Sequence, residues 1–230
     1  MKHPAVLALG AGLLILLVAL AMPLLNLGRS NAPSVATGQL PWEARADADG
    51  TLAVFGLNLG RDTLATARAK LGDALQPALV ARLDEVGALE ALMEPFSAGF
   101  VTGRLVLSFD VPPNSLQRWR SHAPRSEAMD GGVRRFELTG DDRADADGQK
   151  LAGLSFVPGV KLTEADLRQR FGAPAETVAQ AGGVKVLLYP AIGMTAAVAD
   201  SGATRTALQY VAPRDFERRL RAPLAASAAK

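Results

Sequence analysis

The first apolar stretch of the chain is also its longest. From Ala5 to Leu25 the sequence reads AVLALGAGLLILLVALAMPLL, and no charged residue falls between Pro4 and Gly28. At 1.5 Å per helical residue this run covers roughly 30 Å, the thickness of a bilayer's hydrocarbon, and it predicts a transmembrane anchor over residues 1–27. A cleaved secretory signal competes for the same residues, because Lys2 supplies a basic flank and Ala19-Leu20-Ala21 a small-x-small cleavage pattern. Apolar residues continue past that site through Met22, Leu24, Leu25 and Leu27. The run thereby exceeds the usual signal core of about 7 to 15 residues, and an uncleaved helix is expected. Ala8 and Gly12 form a small-xxx-small pair that would let two such helices approach, a spacing that an Ala- and Gly-rich run also produces by chance.

Beyond the run, residues 28–40 (GRSNAPSVATGQL) are small and polar and read as a flexible tether. From Pro41 onward short alternating and helical patterns follow one another, and three segments recur at offsets of about 95 to 100 residues. RDTLATARAKLG (61–72) aligns with KLTEADLRQRFG (161–172), each a short helix opened by a threonine cap and closed by Gly72 or Gly172 in a left-handed conformation, with Leu71 and Phe171 expected to be buried. GALEALMEP (87–95) aligns with GGVKVLLYP (182–190), whose alternating Val184, Val186 and Leu188 mark both copies as strands. Residues 111–118 align with 211–218, each a strand running into a proline-started helix. The first unit is expected to carry strands at 52–57, 78–83, 89–93 and 105–109 with helices at 63–71 and 114–121. The second is expected to carry strands at 154–157, 176–179, 184–189 and 203–210 with helices at 163–171 and 214–220.

Short meandering strands beside segregated helices predict an α+β fold. The expected organisation is an anchor (1–27), a tether (28–40), a first α+β module (41–123), a connector (124–150), a second module (151–222) and a disordered tail (223–230). A hairpin from Trp42 to Ala46, returning at Thr51, is expected to open the first module.

The paired motifs Gly60 to Gly72 and Gly159 to Gly172, a loop glycine, a capped short helix and then Leu-Gly or Phe-Gly, resemble the SmpA/OmlA (BamE-like) module. That resemblance covers about 50 residues of each unit and implies a small α+β envelope domain acting by protein contact without catalysis. The chain departs from that family in lacking a lipid-bearing cysteine, in its apolar anchor and in its duplication. As a whole it also resembles single-span envelope proteins of proteobacteria, which implies a location and no activity.

Charge and composition narrow the function further. With Lys2 and Arg29 at the flanks of the apolar run set aside, 23 bases face 23 acids, a balance unlike that of a nucleic-acid binder. Lys2 and the terminal amine favour a cytoplasmic N-terminus, a preference that Arg29 blunts. The body is therefore expected in the periplasm of a Gram-negative inner membrane, which the preference for Arg over Lys also suggests. With no cysteine and only His3 and His122, a zinc site, a thiolate nucleophile and a conventional serine triad all lack residues.

Four constellations remain. Arg-Ala-Asp-Ala-Asp-Gly occurs at 45–50 and 143–148, but a calcium frame would put Arg45 and Arg143 at the first ligand, so a turn is expected at both. Glu85, Glu90 and Glu94 imitate paired carboxylates, yet the second unit has Lys185 and Tyr189 opposite the last two. His122 reads as a solvated helix end. Arg214, Arg218, Arg219 and Arg221 form a basic stripe broken by Asp215 and Glu217, a solvated face or a contact for acidic lipid or protein. No catalytic, cofactor-binding or metal-ligating residue is assigned. The expected function is a membrane-anchored, non-catalytic protein-interaction module in envelope assembly or maintenance. The alternatives are an envelope hydrolase using carboxylates, or a lipid or small-ligand binder between the two units.

Overall fold

The computed structural model describes residues 34–35, 40–199 and 205–228; the expected anchor and the Ala8/Gly12 pair lie outside them. No described helix is long and apolar enough to cross a membrane. The described part begins with β1 (Ser34–Val35), a 3-10 turn at Pro41–Glu43, β2 (Arg45–Ala46), β3 (Leu52–Val54) and β4 (Leu57–Leu59). Helix α1 (Leu64–Leu71), β5 (Gln76–Arg82), β6 (Ala88–Ala98), β7 (Val101–Asp110) and α2 (Pro113–His122) follow. Next come β8 (Ser126–Ala128), β9 (Val133–Phe136), α3 (Gly140–Asp147), β10 (Lys150–Pro158) and α4 (Glu164–Phe171). The chain closes with β11 (Glu176–Gln180), β12 (Val184–Tyr189), β13 (Met194–Ala199), β14 (Ala207–Val211), a π-helical turn at Glu217–Arg221 and α5 (Ala222–Ala228).

The fold is α+β, as the patterning predicts. Ten strands form one antiparallel sheet in the order β11-β12-β13-β14-β10-β7-β6-β5-β9-β8, with β1 added in parallel beside β6, while β2, β3 and β4 make a small second sheet. One face of the large sheet packs on the small sheet and on α1 to α4 through a single core, to which Leu52, Leu64, Trp119, Ala146, Phe156, Leu167 and Tyr210 all belong. The other face of β10 and β12 to β14 is covered by Phe216, Leu220 and Leu224 of the C-terminal segment.

Several local expectations are corrected. The expected strand 52–57 is a hairpin, because Phe55 and Gly56 both take positive φ (54° and 73°) and join Val54 to Leu57 through a two-residue turn. A phenylalanine there is strained. Its ring offsets the strain by packing edge-on against Phe96 and Phe156, both at 5.3 Å, and against Tyr210 at 6.1 Å. The segment 124–150, expected as a connector, folds into β8, β9 and α3, whose polar sequences (SEA, VRRF, GDDRADAD) lack an apolar period. Strand β13 is an addition to the expected meander. Its sequence MTAAVA is buried at every position, so no alternation marks it. The tail from Pro223 is helical in its described part, with Pro223 and Leu224 buried. The hexapeptide Arg-Ala-Asp-Ala-Asp-Gly forms strand and turn at 45–50 but lies in α3 and its C-cap at 143–148, so the expected second turn is a helix.

The two halves correspond in space, but not through the segments aligned in the sequence: α4 and β12 match α2 and β9, whereas the alignment paired them with α1 and β6. Outward from the central β7–β10 pair the strands run β7-β6-β5-β9-β8 on one side and β10-β14-β13-β12-β11 on the other. Taken from the central strand, β7-α2-β8-β9 matches β10-α4-β11-β12, whereas the remaining hairpin precedes in one half (β5-β6) and follows in the other (β13-β14). Both edge hairpins turn on a Gly-Gly pair with positive φ, Gly131-Gly132 and Gly182-Gly183, each followed by valine and a base.

The helices α1 and α4 keep the expected ends. The Thr63 and Thr163 hydroxyls accept from the N–H of Thr66 and Asp166, and the N–H of Gly72 and Gly172 donates to the carbonyls of Arg68 and Arg168. The two glycines have nearly identical angles, φ 83°, ψ −175° and φ 81°, ψ −167°. That is the glycine-only extended region, not the left-handed helical cap that was expected. Leu71 is buried as expected, while Phe171 is only half-buried, tilted against Tyr189 at 5.8 Å. A Cβ at either glycine would meet nothing within 4 Å, so valine there acts through backbone strain alone. Gly72→Val and Gly172→Val are each expected to cost about 1 kcal/mol or more. Thermal melts of the two variants should shift alike because the two caps share one backbone geometry, and a shift confined to one would show that the cost is not set by that local geometry.

Candidate functional site

Helices α1 and α3 lie side by side, and the start of β5 closes the space between them. Each helix is opened by a threonine, Thr63 or Thr139, whose hydroxyl accepts from the third residue on. Arg68 of α1 reaches Asp147 at the end of α3, Nη1 to Oδ1 at 3.1 Å. The groove between them has a volume of about 280 Å³, with Leu64, Leu75, Leu138 and Ala146 among its apolar lining and Arg68, Asp73, Arg143 and Asp147 among its charged one. Both cations are paired within the protein, Arg68 with Asp147 and Arg143 with Glu137, so the rim carries balanced charge over an apolar floor.

A second feature lies where β6 turns into β7. Phe100 at that turn is 75% exposed and Val160, after β10, is 59% exposed. The Gly159 N–H donates to the Thr102 carbonyl at 2.8 Å, which places Val160 beside the same turn. Trp42 lies 6.0 Å from Phe100, ring to ring, and the Arg170 guanidinium sits 3.8 Å over the Trp42 ring. An aromatic residue at an exposed hairpin tip was the only sequence signal for this cluster.

The structure disperses the constellations singled out above. Glu85 lies in the β5–β6 turn, Glu90 is buried on β6, and Glu94 is exposed and bound by Arg104 at 2.7 Å. Along a strand, four residues separate Glu90 from Glu94 by roughly 13 Å, beyond the carboxylate spacing of either glycosidase geometry. Glu90 Oε1 finds no hydrogen-bond partner, and burial pushes its carboxyl up to about 7. His122 is exposed at the end of α2, its Nδ1 3.3 Å from the Asp142 carboxylate of α3, which Arg118 also approaches. That cluster ties two helices together.

In the first hexapeptide, Thr51 Oγ1 donates to Asp49 and Arg61 bonds the same carboxylate at 2.5 Å, so Asp49 is held down at about 2. In the second, Arg143 pairs with Glu137, Asp145 with Arg118 and Asp147 with Arg68. Among the described residues no three His, Asp or Glu side chains are placed to hold a metal ion. The basic stripe is likewise engaged. Arg214 donates to the carbonyls of Asp49 and Gly60, clamping the C-terminal segment to the small sheet. Arg218 pairs with Asp215, Arg219 with Asp110, and Arg221 with Glu176 and Glu217.

Fold and site together define an α+β protein built on one large antiparallel sheet, with a surface groove of about 280 Å³ between α1, α3 and β5. Neither a family model nor a curated protein nor a solved structure matches the chain.

Proposed function

We propose that the protein is a single-pass inner-membrane protein whose body, two units of common origin fused through the β7–β10 pair, faces the periplasm. There it works by protein contact in envelope assembly or maintenance, as its SmpA/OmlA-like motifs also suggest. The observation that carries this reading is the α1–α3 groove, an open apolar floor rimmed by opposite charges, which is the composition of a contact surface for a protein segment. The apolar run of residues 5–25 supplies the anchor.

A photoactivatable side chain at Gln76 or Arg143, both lining the groove, should give a discrete crosslinked protein in intact cells, whereas one at the exposed Glu127 of β8 should not. Equal capture at all three positions, or none at the groove, would remove the groove from the function. In the same cells a reporter fused after Lys230 and active only outside the cytoplasm should be active; its silence would reverse the orientation.

A further inference from the structure

The turn between β6 and β7 ends in apolar groups that nothing described covers, and it is also where the chain from the apolar run arrives. Backbone pairing of Ser34 with Ser97 and Val35 with Ala98 pins the incoming segment beside this turn. Only residues 26–33 separate that pinned strand from Leu25, the last residue of the apolar run. Even fully extended, that link reaches no more than roughly 30 Å. An anchored chain therefore keeps the Phe100 turn within roughly 30 Å of one side of the bilayer.

The chemistry of the turn suits that position. Phe100 and Val160 project apolar groups into solvent, 75% and 59% exposed, and Trp42 stands behind Phe100. Arg170 lies over the Trp42 ring and Lys161 is exposed next to Val160. Apolar tips with a tryptophan and flanking cations are what an interfacial site uses, the rings entering the boundary of headgroups and acyl chains and the cations meeting phosphate. The carboxylates on the framing segments are bonded within the protein and offer little repulsion: Glu43 accepts from the Leu40 N–H at 2.9 Å, Glu94 is paired with Arg104, Glu164 with Arg168 and Lys185, and Asp166 accepts from Thr163. Leu83, the other highly exposed large apolar side chain among the described residues, lies in the β5–β6 turn at the opposite end of the sheet.

Resting on the anchor reading above, we infer that Trp42, Phe100 and Val160, with Lys161 and Arg170, form a second membrane contact that seats the body on the phospholipid surface. The occupant is the bilayer interface, and the effect is to fix the body's orientation over the membrane.

The two tryptophans make this readable, because Trp119 is fully buried and only Trp42 is placed to sense lipid. The full chain is reconstituted into vesicles of phosphatidylethanolamine and phosphatidylglycerol, with and without brominated acyl chains that quench tryptophan on contact. Brominated lipid should lower the emission of the wild-type chain and leave a Trp42→Phe chain unchanged. A Phe100→Ser, Val160→Ser double variant should lose the quenching while keeping its circular dichroism, because both side chains are exposed. If the chain floats with vesicles after alkaline extraction and Trp42 is equally bright with and without bromine, the contact is overturned and the patch faces water or protein. If the chain does not float, the anchor reading has failed, and this inference fails with it.

Discussion

Truncating Phe156 to alanine is expected to cost about 3 to 5 kcal/mol, the range for removing a fully buried aromatic ring. Its ring has no solvent exposure and lies 5.3 Å from Phe55 and 5.9 Å from Phe96, so the loss opens a hole where the small sheet meets the large one. Phe156 also lies on β10, which pairs with β7 from Lys150 opposite Asp110 to Pro158 opposite Gly103. Gly103 allows this close pairing, since a Cβ there would fall 2.3 Å from the Val157 carbonyl oxygen. Because the pairing makes the halves one sheet, the variant is expected to melt at lower temperature in one transition. Denaturant unfolding of the full chain in detergent measures the cost. A loss under about 1 kcal/mol would contradict the cluster's role, and a biphasic melt would show halves that fold separately.

The second large effect is pH-dependent. Glu90 is 6% exposed and its Oε1 is unpartnered; burial raises its carboxyl from 4.5 to about 7. Below pH 4.5 both the folded and unfolded chains hold the proton, and the group leaves stability unchanged. Between 4.5 and about 7 the unfolded chain releases it while the folded chain keeps it, so stability falls as pH rises. Above 7 the accumulated loss is about 3 kcal/mol. Glu90→Gln keeps the shape without the charge. Its stability is expected to match the wild type near pH 4 and to exceed it at pH 8 by up to about that amount. Denaturation curves of the two proteins across that range decide it, and a constant difference at every pH would mean that Glu90 is ionised in the fold.

Local chemistry made much of this structure legible. The caps at Thr63 and Thr163 and the glycines that end α1 and α4 follow from steric and hydrogen-bonding rules that act within a few residues. β12 was legible through its β-branched residues and the spacing of Val184, Val186 and Leu188, although Leu187 and Tyr189 bury its other face as well. The same rules failed where the environment was uniform or remote. β13 is buried on both sides and therefore does not alternate, while β8 and β9 are polar strands of an edge.

The Arg-Ala-Asp-Ala-Asp-Gly pair is the clearest case. Its charges are bonded by Arg61 and Thr51 in one copy and by Glu137, Arg118 and Arg68 in the other, partners that six residues of sequence cannot specify. The groove was not legible, because its walls come from α1, β5 and α3, separated by up to about 80 residues. By itself the sequence determined the long apolar run, the neutral balance of charge, the α+β class and the helix ends, since each depends on composition or on neighbours along the chain. Tertiary structure alone decided that the halves share one sheet, that Glu90 is buried without a partner and that Phe100 meets Trp42. Each of these depends on which distant strands pair and at what register.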